Sequence, residues 1–235
     1  MLKAIIFDLD NTLCDTNSAV VPSFDTCFRY LKNYYPNINK KEFFSLTKKI
    51  FDKLTRKQKI PLYTSQALFW HEMFERLQIE ISPTLIKDLI ILFDDDLARN
   101  VKLFKNVEKM LKELKKRNLT LAVLSNGSYI GKALRFEFLN LKPYIDLLIS
   151  SDLIRRDKPS RRAFMYILRK LKIKSDEAIF VGDELEADIL GAGKVGFTTI
   201  LNTWNNQILN SDKKIKPNYI AKSPLDVVKI VDKLL

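Results

Sequence analysis

The chain has 235 residues, of which 46% are hydrophobic and 29% charged, and this composition supports a folded core and excludes a disordered tail or a fibre. Two cysteines, Cys14 and Cys27, and a single histidine, His71, exclude a four-ligand zinc site and a disulfide framework. The formal net charge of +12 favours polyanions or phosphorylated metabolites as partners, without distinguishing between them.

The same features predict a cellular location. The cysteine content fits a reducing compartment, no apolar run reaches the roughly 18 residues that span a bilayer, and the N-terminal segment meets acidic residues at once, unlike a signal peptide. We therefore expect a soluble, cytoplasmic protein without a membrane partner. Any Ser-His-Asp or Cys-His site would have to centre on His71, so carboxylates and lysines are the better candidates for chemistry.

Short apolar runs that end in polar residues recur along the chain, and each predicts a buried strand followed by a loop. The first run covers residues 2–7 and leads into Asp8 and Asp10. The later runs cover residues 120–124, 145–149, 178–181 and 198–201, with a weaker one at 219–221. Apolar residues at helical spacing separate these runs. The alternation predicts an α/β fold, a doubly wound, mostly parallel, Rossmann-like sheet whose polar strand ends collect at one edge.

Residues 14–97 have a different pattern. Apolar and aromatic residues such as Phe24, Phe28 and Leu31 follow helical spacing, and no convincing strand occurs. The sequence therefore predicts an inserted α-helical domain over 14–97 and an α/β core over 1–13 and 98–235. The insert carries 12 Lys+Arg against 11 Asp+Glu, so the remainder has 28 against 17 and holds +11 of the net +12.

Asp8 and Asp10 stand two residues apart after the first predicted strand, so both carboxylates can face one small volume. Because neighbouring carboxylates repel each other, they favour a divalent cation, a shared proton or a basic side chain as compensation. A polar turn with side-chain capping is the alternative interpretation of this segment.

Other strand ends add polar groups to the same predicted edge. Asp183 follows the fourth strand and, with the first two aspartates, makes an oxygen-only Mg²⁺ site, although the acids from Asp183 to Asp188 also suit a first helical turn. Ser125 and Asn126 offer a hydroxyl and backbone N–H groups to an anion, although Ser-Asn-Gly is also an ordinary turn. Lys158 precedes a helix N-terminus, where a cation opposes the helix dipole unless a phosphate binds nearby.

Three further patterns have structural interpretations. Residues 191–196 match the G-x-G-x-x-G spacing of dinucleotide sites, but they lead from a helix to a strand, so we expect a helix end and a turn. Asp94, Asp95 and Asp96 are expected to form a solvated helix end or hinge. His71 receives no role.

The chain resembles the haloacid dehalogenase-like hydrolase superfamily, in its phosphatase branch with a helical cap inserted after the first core strand. The resemblance covers the α/β core and rests on four motifs, which occur in this order at successive strand ends: Asp8-Leu9-Asp10-Asn11-Thr12, Ser125, Lys158-Pro159, and Gly182-Asp183 through Asp188. The helical residues 14–97 lie where that superfamily inserts its cap.

The resemblance implies that Asp8 is a nucleophile that attacks phosphorus and forms an aspartyl-phosphate, and that Asp10 is first a general acid and then a general base. The implied cofactor is Mg²⁺, with Asp8, the backbone carbonyl of Asp10 and Asp183 as ligands and Asp188 in support. The implied phosphate-binding residues are Ser125 and Lys158. We add Asn126, because it stands next to Ser125 in the predicted turn.

The expected function is therefore that of a Mg²⁺-dependent phosphomonoester hydrolase acting on a small phosphorylated metabolite. A phosphomutase is an alternative, because it could use the same residues. A haloacid dehalogenase is less favoured, because its chemistry needs neither a metal nor Asp10. A non-catalytic module that binds nucleic acid or phosphoprotein has only the charge in its favour, and we expect no nucleic-acid partner.

Overall fold

The computed structural model describes residues 1–54, 62–205 and 214–235, and within them six strands form one sheet in which every neighbouring pair is parallel. The strands are β1 Ala4–Phe7, β2 Thr120–Ser125, β3 Leu147–Ser150, β4 Ala178–Gly182, β5 Thr198–Asn202 and β6 Tyr219–Ala221. Their order across the sheet is β3-β2-β1-β4-β5-β6. The predicted strands are confirmed, with small shifts at their ends.

Helices separate most of the strands. They are α1 Thr16–Lys32, α2 Lys40–Asp52, α3 Leu62–Arg76, α4 Pro83–Asn100, α5 Val107–Lys115, α6 Tyr129–Phe138, α7 Ser151–Ile154, α8 Arg161–Leu171, α9 Gly191–Gly193 and α10 Pro224–Asp232. A 3₁₀ turn covers Ser175–Glu177, and a π-helical turn at Leu185–Leu190 continues into α9. In the part of the chain that the structure describes, no helix combines the length and the apolar character needed to cross a membrane.

The central strand β1 is buried on both faces and pairs with β2 on one side and β4 on the other. The chain passes from β1 to β2 and β3, and then crosses β1 to form β4, β5 and β6. Such a reversal of direction leaves a crevice at the carboxyl ends of the two central strands, where open α/β sheets bind their ligands. The residues that follow β1 and β4 therefore meet in this crevice.

Alternate side chains of β1 enter two separate hydrophobic clusters. Ile5 and Phe7 pack in a cluster with residues of α5 and α10, whereas Ala4 and Ile6 pack in a cluster with residues of α8. Because successive side chains of a strand point to opposite faces, these two clusters cover the two faces of the sheet. The doubly wound, Rossmann-like α/β architecture is confirmed.

Helices α1 to α4 lie between β1 and α5, and we call them the helical insert. They pack around a third cluster that contains Phe28, Phe43, Trp70 and Leu89. No strand occurs in the described part of the insert, residues 16–54 and 62–100. The division into domains at 13/14 and 97/98 stays a prediction, and the second boundary falls inside α4, which ends at Asn100.

The chain enters and leaves the helical insert side by side. Cys14 forms an antiparallel bridge with Leu103, and the Asp15 backbone N–H donates to the Lys102 carbonyl at 2.9 Å. The Asp15 side chain also accepts a hydrogen bond from the Ser18 backbone N–H at 3.1 Å and so caps the start of α1. These contacts hold the two ends of the helical insert together, a few residues after Asp8.

Candidate active site

The first strand delivers Asp8 to the crevice between β1 and β4. The Asp8 backbone N–H donates to the Val181 carbonyl at 2.9 Å, so Asp8 extends the pairing of the two strands. Its side chain is buried, and its Oδ1 accepts a hydrogen bond from Lys158 Nζ at 2.6 Å. Burial, together with repulsion from Asp188 and Asp10, raises the pKa of Asp8 to about 6, and Lys158 offsets only part of this rise.

Lys158 is a buried cation between two carboxylates. Its Nζ lies 2.6 Å from Asp8 Oδ1 and 2.6 Å from Asp188 Oδ1. Asn126 holds the Lys158 backbone, because its side-chain oxygen accepts from the Lys158 N–H at 2.8 Å and its Nδ2 donates to the Lys158 carbonyl at 3.1 Å. Burial by itself would lower the pKa of Lys158, but the two carboxylates outweigh burial and hold the pKa above its ordinary value. Lys158 is therefore charged.

Three buried carboxylates meet beside this lysine. Asp8, Asp183 and Asp188 each offer one oxygen, and these oxygens lie within 4.8 Å of one another. Burial and the repulsion from Asp8 and Asp188 raise the pKa of Asp183 to about 9. A divalent cation among the oxygens would relieve this repulsion, and an all-oxygen donor set is the one that Mg²⁺ prefers. The side chains present therefore fit the predicted metal.

Hydrogen bonds orient the carboxylates of this cluster. Thr12 Oγ1 donates to Asp183 Oδ1 at 3.3 Å, and Asn205 Nδ2 donates to Asp183 Oδ2 at 3.1 Å. Asp188 Oδ2 accepts from the Glu184 backbone N–H at 3.0 Å, while its Oδ1 is already bonded to the lysine. Both oxygens of Asp183 and both oxygens of Asp188 thus have protein partners, and the supporting position of Asp188 stays a prediction.

The Asp10 carboxylate is held apart from the cluster by two cations of α6. Arg135 Nη1 donates to Asp10 Oδ1 at 2.5 Å, Lys132 Nζ donates to Asp10 Oδ2, and Thr16 Oγ1 donates to Asp10 Oδ1 at 2.7 Å. Burial alone would raise the pKa of Asp10, but the two cations outweigh burial and hold the pKa well below its ordinary value. Asp10 is therefore ionised in this arrangement.

Ser125 and Asn126 stand at the end of β2. Because β2 runs parallel to β1, its carboxyl end brings Ser125 to the same sheet edge as Asp8. The Ser125 side chain is buried there. Both polar atoms of the Asn126 side chain are hydrogen-bonded to the Lys158 backbone, so this side chain positions Lys158. Phosphate binding by Ser125, Asn126 and Lys158 stays a prediction.

The sequence analysis missed Lys132 and Arg135. Both side chains are buried, and their spacing of three residues places them on one face of α6. The available signal is a pair of cations on the helix that directly follows Ser-Asn-Gly, near the predicted sheet edge. That signal is weak, because two cations on one helix face usually mark a solvated surface.

The prediction of a solvated segment at residues 94–96 is wrong for Asp94, which is 2% exposed. Asp94 Oδ1 accepts from Gln66 Nε2 at 3.0 Å and lies 4.0 Å from Arg135 Nη2. The physical reason is the close approach of α4 to α6, because a Cβ at Gly131 would lie only 2.5 Å from Asp94 Oδ1. Asp95, whose side chain is 37% exposed, is solvated as predicted, but the three aspartates lie inside α4, which continues to Asn100, and do not form a helix end or hinge.

The remaining sequence patterns are structural. The glycines at 191–196 form α9 and the turn into β5, in which Gly196 has a φ of +100°, so the predicted helix end and turn are confirmed. His71 is half exposed on α3, and its Nδ1 lies 3.8 Å from Glu75 Oε2 one turn further on.

The chain belongs to the haloacid dehalogenase-like hydrolase family, whose model matches residues 5–202, and this confirms the resemblance found in the motifs. Among curated relatives, the glyceraldehyde 3-phosphate phosphatase of Methanothermobacter thermautotrophicus is 26% identical over 233 residues, which cover 99% of this chain and 96% of the relative. The phosphoglycolate phosphatase of Aquifex aeolicus is 26% identical over 233 residues and covers 98% and 97%. A solved 2-haloacid dehalogenase from Pseudomonas syringae pv. Tomato DC3000 has a TM-score of 0.79 at 21% identity over 100% of both chains, which shows the shared fold.

Proposed function

We propose that the protein is a Mg²⁺-dependent phosphomonoester hydrolase that acts on a small phosphorylated metabolite through an aspartyl-phosphate on Asp8. The observation that carries the proposal is the buried Asp8 carboxylate, which lies 2.6 Å from a charged lysine and within 4.8 Å of two further carboxylates. A phosphate dianion needs cationic compensation before a carboxylate can approach its phosphorus. Lys158 and a metal held by the acids would supply it.

The proposed metal ligands are Asp8, Asp183 and the backbone carbonyl of Asp10, with Asp188 in support. Mg²⁺ bound there would neutralise the phosphoryl oxygens and weaken their repulsion of the nucleophile. The hydrogen bonds from Thr12 and Asn205 to Asp183 support this assignment, because they fix the carboxylate before the metal binds.

In the proposed first step, an Asp8 oxygen forms a bond to phosphorus and the bond from phosphorus to the leaving oxygen breaks. Lys158 and Ser125 bind the phosphoryl oxygens, and Asn126 positions Lys158. The leaving oxygen takes a proton from Asp10. For this general-acid role Asp10 must first take up a proton from solvent or from the bound phosphate monoanion, and Lys132 and Arg135 oppose that uptake because both favour the ionised carboxylate.

In the proposed second step, water attacks the phosphorus of the aspartyl-phosphate and Asp8 is released with inorganic phosphate. Asp10 accepts the proton of the attacking water, and its low pKa keeps it available as a base at neutral pH. The helical insert would act as the cap that closes over the sheet edge and excludes bulk water during both steps.

We place the enzyme in the cytoplasm, because both cysteines are buried free thiols.

Phosphate release from a generic aryl phosphate tests the proposal, with Mg²⁺ or with excess chelator, for the wild type and for Asp8→Asn. We expect metal-dependent release by the wild type and only background release by the variant, whose fold is checked by circular dichroism. Asp176→Asn is the matched control, because it makes the same change from aspartate to asparagine at an exposed position, and it should keep full activity.

Retained turnover in a folded Asp8→Asn protein would remove Asp8 as the nucleophile. Halide release from a haloacid would favour the dehalogenase alternative, and isomerisation of a sugar phosphate without net phosphate release would favour the mutase. Salt-sensitive binding of a polyanion that is unchanged in Asp8→Asn, without turnover, would favour the binding module.

A further inference from the structure

A cavity of about 290 Å³ lies between the helical insert and the carboxyl edge of the sheet. Asp10, Lys132 and Arg135 line its core side, and residues of α1, α3 and α4 line the opposite side. This volume lies just below the roughly 300–1,000 Å³ that is usual for ligand pockets. A leaving group whose oxygen meets Asp10 would occupy this cavity, so its walls select the alcohol part of the substrate.

The insert side of the cavity contains a group of packed aromatic rings. Phe24, Phe69, Trp70 and Phe93 line it, and the Phe24 ring lies 5.2 Å from the Phe69 ring and 4.7 Å from the Phe93 ring between centroids. Because these rings pack against one another, the wall is preformed and does not depend on a ligand. The rings stabilise hydrocarbon or ring surface. The amide side chains on this side of the described lining are Asn17 and Gln66, and Gln66 Nε2 is already bonded to Asp94.

The charges in the cavity lining are unsuited to a second anion. Among the described lining residues, the cations are Lys132 and Arg135, and the carboxyl groups are Asp10, Asp94 and Glu184. Both cations already form ion pairs with Asp10. A carboxylate or second phosphate on the leaving group would find no unpaired cation among these side chains, and it would lie close to three acidic groups.

We infer that the substrate is a phosphomonoester of a small, uncharged alcohol with an apolar or aromatic face, rather than a phosphorylated acid, a bisphosphate or a larger sugar. This inference rests on the proposed function and narrows it. The net charge of +12 is no argument against it, because that charge belongs to the chain as a whole, whereas the described residues of the cavity lining include three carboxyl groups and two cations.

Two matched pairs of esters test the inference on the Mg²⁺-loaded wild-type enzyme. The first pair is 2-hydroxyethyl phosphate and phosphoglycolate, which are similar in size and differ by one negative charge. The second pair is phenyl phosphate and 4-carboxyphenyl phosphate. We expect kcat/KM to favour the uncharged member of each pair by about 100-fold, because its charged analogue buries an unpaired carboxylate.

A charge placed at the cavity wall gives a second test. Asn17 is exposed, lies on α1 and lines the cavity, so Asn17→Lys adds a cation within it. We expect this variant to reduce the preference against phosphoglycolate by about five-fold through direct attraction. Val21→Lys is the matched control, because Val21 is exposed on the same helix outside the cavity lining, and it should leave the preference unchanged.

The outcomes separate the inference from the function on which it rests. Equal or greater kcat/KM for the carboxylate esters would overturn the inference and leave the phosphatase function intact. If Asn17→Lys and Val21→Lys change the preference for the uncharged ester equally, surface charge and not the cavity sets that preference. Release of phosphate from none of the four esters would overturn the proposed function together with the inference.

Discussion

At the scale of single residues, the Asp10 carboxylate is the most strongly constrained group of the site. Lys132, Arg135 and Thr16 hold its two oxygens from α6 and α1. A carboxylate with these partners keeps one orientation and a low pKa, both of which a general base needs before substrate arrives. The two cations are therefore proposed to position Asp10, although neither has to touch the phosphoryl group.

We predict that Lys132→Met lowers kcat by roughly 10- to 100-fold and changes KM little, because Asp10 loses one of the partners that fix its orientation as the base of the second step. Removing the cation raises the pKa of Asp10 towards its ordinary value, because a positive charge favours the ionised carboxylate. The pH below which kcat falls should consequently move upward, and a kcat–pH profile measures this shift. Lys142→Met, the same substitution at an exposed position, should leave the profile unchanged. An unshifted profile for Lys132→Met would remove the proposed role.

The residues of the site differ in how well the sequence predicts them. Asp8, Asp183 and Lys158 follow strand ends or precede a helix, and the sheet topology brings such positions to one edge. Lys132 and Arg135 lie within α6, and their burial depends on how that helix docks against the insert. Sequence periodicity shows that two residues share a helix face, but it does not show what covers that face.

At the scale of elements, the contact between α4 and α6 joins the helical insert to the core. It places the buried Asp94 carboxylate 4.0 Å from Arg135 and leaves no room for a side chain at Gly131. The alternation of strands and helices is visible in the sequence because each element keeps its own period. Contacts between an insert and a core have no such period, and this is why the sequence does not predict the burial of Asp94.

We predict that Gly131→Ala destabilises the protein by about 1–3 kcal/mol, because its Cβ would lie 2.5 Å from Asp94 Oδ1, so the buried Asp94 side chain or one of the two helices must shift. Gly193→Ala is the control. A Cβ there meets only Thr199 Cγ2 at 4.0 Å, so this substitution in α9 should be neutral or stabilising by up to about 1 kcal/mol. Urea unfolding of both variants measures the difference. Equal stabilities would show that α4 and α6 have room to separate.

At the scale of the whole molecule, the site and the stability of the fold are linked through the buried acids. The clusters of the core and the insert meet at Val20 and Phe93, which pack against both. The crevice under this junction holds Asp8, Asp183 and Asp188 away from water. Burying three carboxylates opposes folding unless protons or cations compensate them, and Lys158 supplies one positive charge only.

The stability of the metal-free protein should therefore fall as the pH rises. The pKa of Asp183 is raised to about 9 by burial and by repulsion from Asp8 and Asp188. For an acid whose pKa is higher in the folded than in the unfolded state, the stabilising contribution is complete below the ordinary value and is lost as the pH rises towards the folded value. In excess chelator, we expect the Tm of the wild type to fall between pH 5 and pH 8. The Tm of Asp183→Asn should fall less over the same interval.

Mg²⁺ should reverse this loss, because the cation replaces the proton as the partner of the carboxylate. We expect Mg²⁺ to raise the wild-type Tm more at pH 8 than at pH 5, and to raise the Tm of Asp183→Asn little at either pH. Asp176→Asn removes an exposed carboxylate and should behave as the wild type does. Thermal unfolding of the three proteins at both pH values, with Mg²⁺ or chelator, makes the comparison. A Mg²⁺ response in Asp183→Asn equal to that of the wild type would show that the metal binds elsewhere, whatever the activity of the variant.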